Sequence, residues 1–282
     1  MRVLIMFVCL TTLAFAQSDL VPAAQEAMEK AKSAMETAVT TYERQYPDLP
    51  LWKEAIAQAK EAIRVAPGAA EPLRLLAEIY SRSNWYGPAY NAWMDYLDTG
   101  AQLGSDDVPL FVEAGSKLAY AAYQQNQLEP ALEYYLKQID VVPYNKDAYV
   151  WVGRILLEQG KPTQAIPYWQ TVVERDVTDT RAQYFLKLAK AQSQWGIKAA
   201  TAFEEGVSFY DQADLPAARE RFARAVGFNE MYSEAWAWLG RVEFEQGNYA
   251  DASTYYSEAS KLEPQNETYS YFYKEAERLK NQ

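Results

Sequence analysis

Apolar positions along most of this chain recur with a helical period. Ala252, Tyr256 and Ala259 stand at i, i+4 and i+7, which puts them on one helix face. The same spacing recurs in Ala218, Phe222 and Ala225, and in Ala165, Trp169 and Val172. The anchoring alanines, Ala55, Ala89, Ala131, Ala165, Ala218 and Ala252, are separated by 34, 42, 34, 53 and 34 residues. A 34-residue unit therefore recurs, with 8 extra residues in one gap and 19 in another. Each unit reads as two helices with a short polar turn between them, such as Gln246-Gly247-Asn248. Only 12 Gly and 13 Pro punctuate the chain, which suits long helices better than many short strands.

The clearest copy is Ser233–Asn266. It closely resembles the tetratricopeptide repeat consensus. Trp236, Leu239 and Gly240 match the W-x-x-L-G opening, and Tyr249 matches the aromatic that starts the second helix. Ala252, Tyr256, Ala259 and Pro264 match the second-helix core and the closing proline. Glu243 departs from the pattern, standing where Tyr is usual. The resemblance implies an all-α fold: a helix-turn-helix solenoid of about six repeats, wound as a right-handed superhelix. In such a fold Gly153, Gly206 and Gly240 let a second helix approach closely, because a small residue faces a large one. One hairpin cannot hide its apolar face, so hairpins stack.

Earlier copies are weaker but in register. They span Ala199–Tyr232, Lys146–Asp179, Val112–Asn145, Ala70–Leu103 and Glu36–Ala69. The expected organisation is a leader at 1–16, an N-terminal helix at 17–35 able to merge with the next, and units 1–2 at 36–103. Residues 104–111 form an inserted loop, and units 3–4 follow at 112–179. A helical connector occupies 180–198, with Tyr184, Leu188 and Ala191 on one face and Gly196 as its stop; it is expected to bend the array. Units 5–6 fill 199–266, and 267–282 reads as a solvating cap helix.

The leader rests on a charged start at Arg2, an apolar run from Val3 to Leu10, and Ala14-Phe15-Ala16 before Gln17. This is the pattern of a secretory signal peptide cut after Ala16, too short to span a bilayer. A retained N-terminal anchor is the alternative. A lipoprotein needs Cys at the cleavage point, and Cys9, the sole Cys, lies too early. The expected location is secreted or periplasmic, in a mature chain without thiols. Formal charge is −11, an acidity that argues against nucleic acid and against stable membrane association once the leader is removed.

Catalytic chemistry is scarce. There is no His, which removes the commonest general base and metal ligand. No phosphate-binding glycine loop or nucleophile elbow occurs. No enzyme activity, metal or cofactor is expected. Asn266-Glu267-Thr268 is a glycosylation sequon that matters only in a eukaryotic secretory path.

One feature goes beyond packing. Trp151 and Arg154 in the fourth unit, and Trp238 and Arg241 in the sixth, repeat a Trp-x-x-Arg spacing that shares a helix face. The resemblance implies that first helices line a concave groove, so these four residues are candidate partner contacts. Arg74, Tyr120, Tyr123, Tyr210 and Phe244 are lesser candidates. The competing reading is that each Arg pairs with a Glu at i+4, Glu158 or Glu245. Family members that clamp a C-terminal carboxylate use Lys and Asn at set first-helix positions. Trp151, Trp238 and Glu204 occupy one of the Asn positions here, so that activity is not implied. The expected function is an extracytoplasmic module that binds a protein or peptide, with envelope assembly as one setting. Glycan binding through groove aromatics and a self-associating spacer are the alternatives.

Overall fold

A computed structural model describes residues 20–282. The signal-peptide expectation for 1–16 lies outside the described residues. The described residues form fourteen helices joined by short turns. They fall into two compact units, meeting in sequence at Tyr134/Tyr135.

The first unit holds α1 (Pro22–Thr41), α2 (Pro50–Val65), α3 (Ala70–Arg82), α4 (Tyr86–Asp98), α5 (Asp107–Gln124) and the start of α6 (Leu128–Val141). Helix α1 pairs with α2, and α3 with α4. Buried Ala24, Ala27, Ala31, Ala34 and Ala38 make one seam along α1. That seam runs through the expected boundary at 35/36, so the N-terminal helix and the first helix of unit 1 are one element. The inserted loop is also corrected. Helix α5 begins at Asp107, inside the 104–111 segment, and only residues 99–106 are irregular. The helix extends this far because Asp107 and Phe111 are buried, and because Pro109 sits in the first turn, where its missing N–H costs no hydrogen bond.

The second unit holds the remainder of α6, α7 (Lys146–Glu158), α8 (Pro162–Arg175), α9 (Thr180–Trp195), α10 (Ile197–Asp211), α11 (Leu215–Phe228), α12 (Ser233–Glu245), α13 (Tyr249–Leu262) and α14 (Glu267–Lys280). Each helix from α7 onward packs on the next. Helix α9 follows the same rule and packs against α8 by stacking Phe185 on Trp169, ring centroids 4.8 Å apart. Its buried positions are Ala182, Leu186 and Ala189, while Tyr184 is exposed. Tyr184 and Leu188, on the expected face, line a groove with Thr201, Glu204 and Ser208 of α10.

Five hairpin turns share one geometry. Asn84, Asn126, Gly160, Ala213 and Gly247 all have positive φ, between 59° and 79°. Each is followed by an N–H that bonds five residues back along the closing helix turn, as in Asn248 N to Glu243 O at 2.9 Å and Lys161 N to Leu156 O at 2.8 Å. This is the Schellman closure. Asn tolerates the left-handed region and Gly favours it; Ala213 adopts it at about 1 kcal/mol, held by the same hydrogen bonds.

The close approaches are real. A Cβ added to Gly153 would lie 2.7 Å from the Trp169 ring, at Gly206 2.6 Å from Phe222, and at Gly240 2.8 Å from Tyr256. In each case the ring stands sixteen residues downstream. The consensus departure at Glu243 has a specific partner. Its buried carboxylate takes the Arg219 Nε–H from α11 and the Asn248 Nδ2–H at 2.7 Å. A buried acid is tolerated only with such partners.

Among the described residues no helix is long and apolar enough to cross a membrane.

Candidate functional site

The amphipathic stripe Glu234, Trp238, Arg241 and Glu245 runs along α12 at helical spacing. Beside it, α13 contributes Tyr256, and α14 contributes Thr268, Tyr269 and Phe272. With Ala237 and Phe244 these residues enclose an apolar cleft of ≈ 480 Å³. Two elements decide its shape. Gly240 lets α13 approach until Tyr256 fills the floor, and α14 stacks Phe272 on Tyr256 at 5.3 Å. The helix expected to be a purely solvating cap thus supplies one wall. Ala276 is its buried position, and Tyr269 and Phe272 pack on the core shared with Tyr256.

Trp238 forms the opposite wall. Its ring stacks on buried Phe222 at 5.3 Å and meets Tyr210 edge-on at 5.0 Å. The Arg241 guanidinium lies over both Trp238 and Tyr210, at 4.9 and 4.8 Å from the ring centroids. Arg241 Nε donates to Glu245 Oε1 at 3.2 Å, and the Tyr210 hydroxyl donates to the same oxygen. Arg241, Tyr210 and Glu245 form one hydrogen-bonded cluster at the rim.

Burial raises the pKa values of the tyrosines here. Tyr269 is pushed up to about 12, and Tyr256 is raised further by its deeper burial. Tyr210 is raised first by burial and then by its hydrogen bond to Glu245. All three are neutral hydrogen-bonding or stacking surfaces at neutral pH. The Glu234 carboxyl is also raised, chiefly by burial. The Lys187 charge and the Trp238 indole N–H oppose that rise, and the like charges of Glu204 and Glu263 add to it.

The structure gathers four of the expected contacts here: Trp238, Arg241, Tyr210 and Phe244. The other Trp-x-x-Arg copy lies on α7. Trp151 stacks on Tyr135 at 5.5 Å, and Arg154 sits 5.2 Å over Trp151 while pairing with Glu158 at 2.9 Å. Both arginines make the i+4 ion pair of the competing reading, and both also cover their tryptophan. Tyr120 and Tyr123 belong to the first unit and stack on each other on α5. The Arg74 fork closes on buried Asp107, Nη2 to Oδ1 at 2.7 Å and Nε to Oδ2 at 2.9 Å, and ties α3 to the start of α5. These contacts lie inside the first unit, and the Arg74 side chain remains partly exposed.

The cleft residues missed from the sequence were Glu234, Tyr256, Tyr269 and Phe272. Glu234 was within reach, since it precedes Trp238 by four residues on the same stripe. Tyr269 and Phe272 were not, because nothing local says which face of a terminal helix packs.

The sequence profile of the tetratricopeptide repeat family matches residues 116–176 and 203–267. Stress-induced-phosphoprotein 1 of Caenorhabditis elegans is 26% identical over 169 residues, 54% of this chain and 52% of that protein. The chain thus spans about half the length of that curated relative. Among solved structures, a tetratricopeptide repeat protein of Parabacteroides merdae is 14% identical, with 90% of this chain and 98% of that one covered at a TM-score of 0.37. YrrB, a tetratricopeptide repeat protein with an unusual peptide-binding site, is 18% identical over 76% of this chain and 96% of its own, with a TM-score of 0.32. The complex of the TPR2AB domain of yeast Sti1 with pHSP90 is 13% identical, over 91% and 96%, with a TM-score of 0.30. With this profile match, the 34-residue period and the glycine-to-ring hairpins, residues 116–176 and 203–267 are tetratricopeptide repeats.

Proposed function

We propose that this chain is an extracytoplasmic protein-interaction module that holds a segment of a partner in the cleft of α12, α13 and α14. Tetratricopeptide repeat proteins mediate protein–protein interaction and peptide binding. The observation that carries the reading is the cleft itself: aromatic walls from Trp238, Phe244, Tyr269 and Phe272 around an open apolar volume, with Glu234, Arg241 and Glu245 as its charged lining residues. Rigid aromatic anchors in a partly desolvated pocket are what binding hot spots are made of. The extracytoplasmic half rests on the leader pattern of residues 1–16.

The test is capture of short immobilised peptides of randomised sequence by the full chain. Trp238→Ala is expected to weaken capture about tenfold, or about 1.4 kcal/mol, with far-ultraviolet helicity retained. Arg154→Ala, on α7, is expected to leave capture unchanged. Equal capture by Trp238→Ala, or capture of soluble glycans in place of peptides, would overturn the reading. For the compartment, N-terminal sequencing of the chain recovered from its host is expected to begin at Gln17. A chain beginning at Met1 in the cytosolic fraction opposes it.

A further inference from the structure

Charge in the cleft is not balanced. Three of its lining residues are charged: Glu234, Arg241 and Glu245. Arg241 and Glu245 neutralise each other at the rim, with Tyr210 completing the cluster. Glu234 is left over. Among the described residues no ion pair forms at it; Lys187, whose charge it feels, pairs with Glu204 at 3.5 Å. The carboxylate is only partly exposed, and the nearby Trp238 indole favours its charged form. Glu204 lies behind it and lines an adjacent groove with Glu205, Tyr184 and Leu188. The Glu204 Oε1 atom is itself buried without a hydrogen bond.

A half-desolvated carboxylate with other acids nearby has an unmet demand for a cation. The ring of Trp238, backed by Phe222 and covered by Arg241, bounds one side, and Tyr269 and Phe272 close the other side with apolar area. An acidic occupant would set its charge against Glu234 while Arg241 is already engaged by Glu245. The chain as a whole, at −11, also steers basic partners toward it and acidic ones away.

We propose that the occupant of this cleft is a partner segment bearing a Lys or Arg, its cation received by Glu234 and an adjacent apolar side chain lying on Tyr269 and Phe272. This rests on the interaction reading above and specifies its ligand chemistry. The long alkyl stem of Lys or Arg fits the arrangement, because the stem lies along the apolar lining while the head reaches the acid. The polarity is the reverse of a carboxylate clamp: here the protein supplies the anion.

The experiment uses the full chain and an array of short peptides in which one position at a time is fixed as each amino acid in a randomised background. Enrichment of Lys and Arg, next to aromatic or aliphatic residues, is the expected result. Glu234→Gln is nearly isosteric and is expected to lower binding of a Lys-containing peptide from the array about tenfold, while a peptide with norleucine in place of that Lys binds both forms alike. Glu234→Asp is expected to retain part of the Lys preference. Thermal unfolding of Glu234→Gln checks that the hairpin is intact. Peptides captured without basic enrichment, or a Lys preference unchanged in Glu234→Gln, overturn this inference and leave the interaction reading standing. Capture of no peptide overturns both.

Discussion

Phe222→Ala is expected to destabilise the second unit by about 3–5 kcal/mol, the range for removing a buried aromatic ring. The Phe222 side chain is fully buried. It packs on Phe203 at 5.5 Å and carries Trp238 on its face. Its neighbour across the hairpin is Gly206, where even a methyl group would meet the ring at 2.6 Å. A glycine has no side chain to move into the cavity left by alanine, so the site cannot collapse and the loss lies toward the upper end. Urea unfolding followed by circular dichroism measures it, and a loss below about 1 kcal/mol would show that the ring is not a keystone. A second consequence reaches the cleft. Trp238 loses its backing, so peptide capture falls even at temperatures where the variant is folded. Adding Gly206→Ala to Phe222→Ala restores a methyl group to the void, and the pair is expected to be more stable than Phe222→Ala alone.

Arg74→Ala is expected to destabilise the first unit by about 2 kcal/mol without changing peptide capture. The pair it breaks is bidentate, and Asp107 is 2% exposed. Losing one member of a fully buried pair costs about 3–5 kcal/mol, because an uncompensated charge remains. Water discounts that value here, since the Arg74 side chain is 38% exposed. The Gly104 N–H, at 3.1 Å from Asp107 Oδ2, continues to serve the carboxylate, and so does the positive end of α5. Asp107→Asn on the Arg74→Ala background removes the stranded charge and is expected to recover part of the loss. An unchanged unfolding midpoint in Arg74→Ala would return the residue to the surface contacts proposed from the sequence. A loss of capture with stability intact would return it to the binding candidates.

Local rules carried much of the fold. The i, i+4, i+7 stripes, the 34-residue period and the glycines sixteen residues before their rings were all legible, because hairpin packing is set by residues close together in the chain. Only Gly247 stood out as a turn residue. Asn84, Asn126 and Ala213 take the same left-handed geometry without a glycine to announce it, since the conformation is imposed by the helices on either side.

The candidate site divides along the same line. The Trp-x-x-Arg repeat named Trp238 and Arg241 from the chain alone, because both lie on one helix. It named Trp151 and Arg154 with equal force, although the two copies stand in different surroundings: α14 supplies Tyr269 and Phe272 beside one, while the other leans on Tyr135. Spacing within a helix is a local property. Which helix packs next to it is not, and neither is the partner that a charge finds there. Arg74 shows this most plainly, for its partner Asp107 stands 33 residues away across an irregular loop. Residue order thus decided the family, the helices and their inner faces. Tertiary packing decided which arginine is tied to a buried acid, which glutamate is left without a cation, and that a terminal helix would wall a cleft, because those depend on distances between elements that no local period encodes.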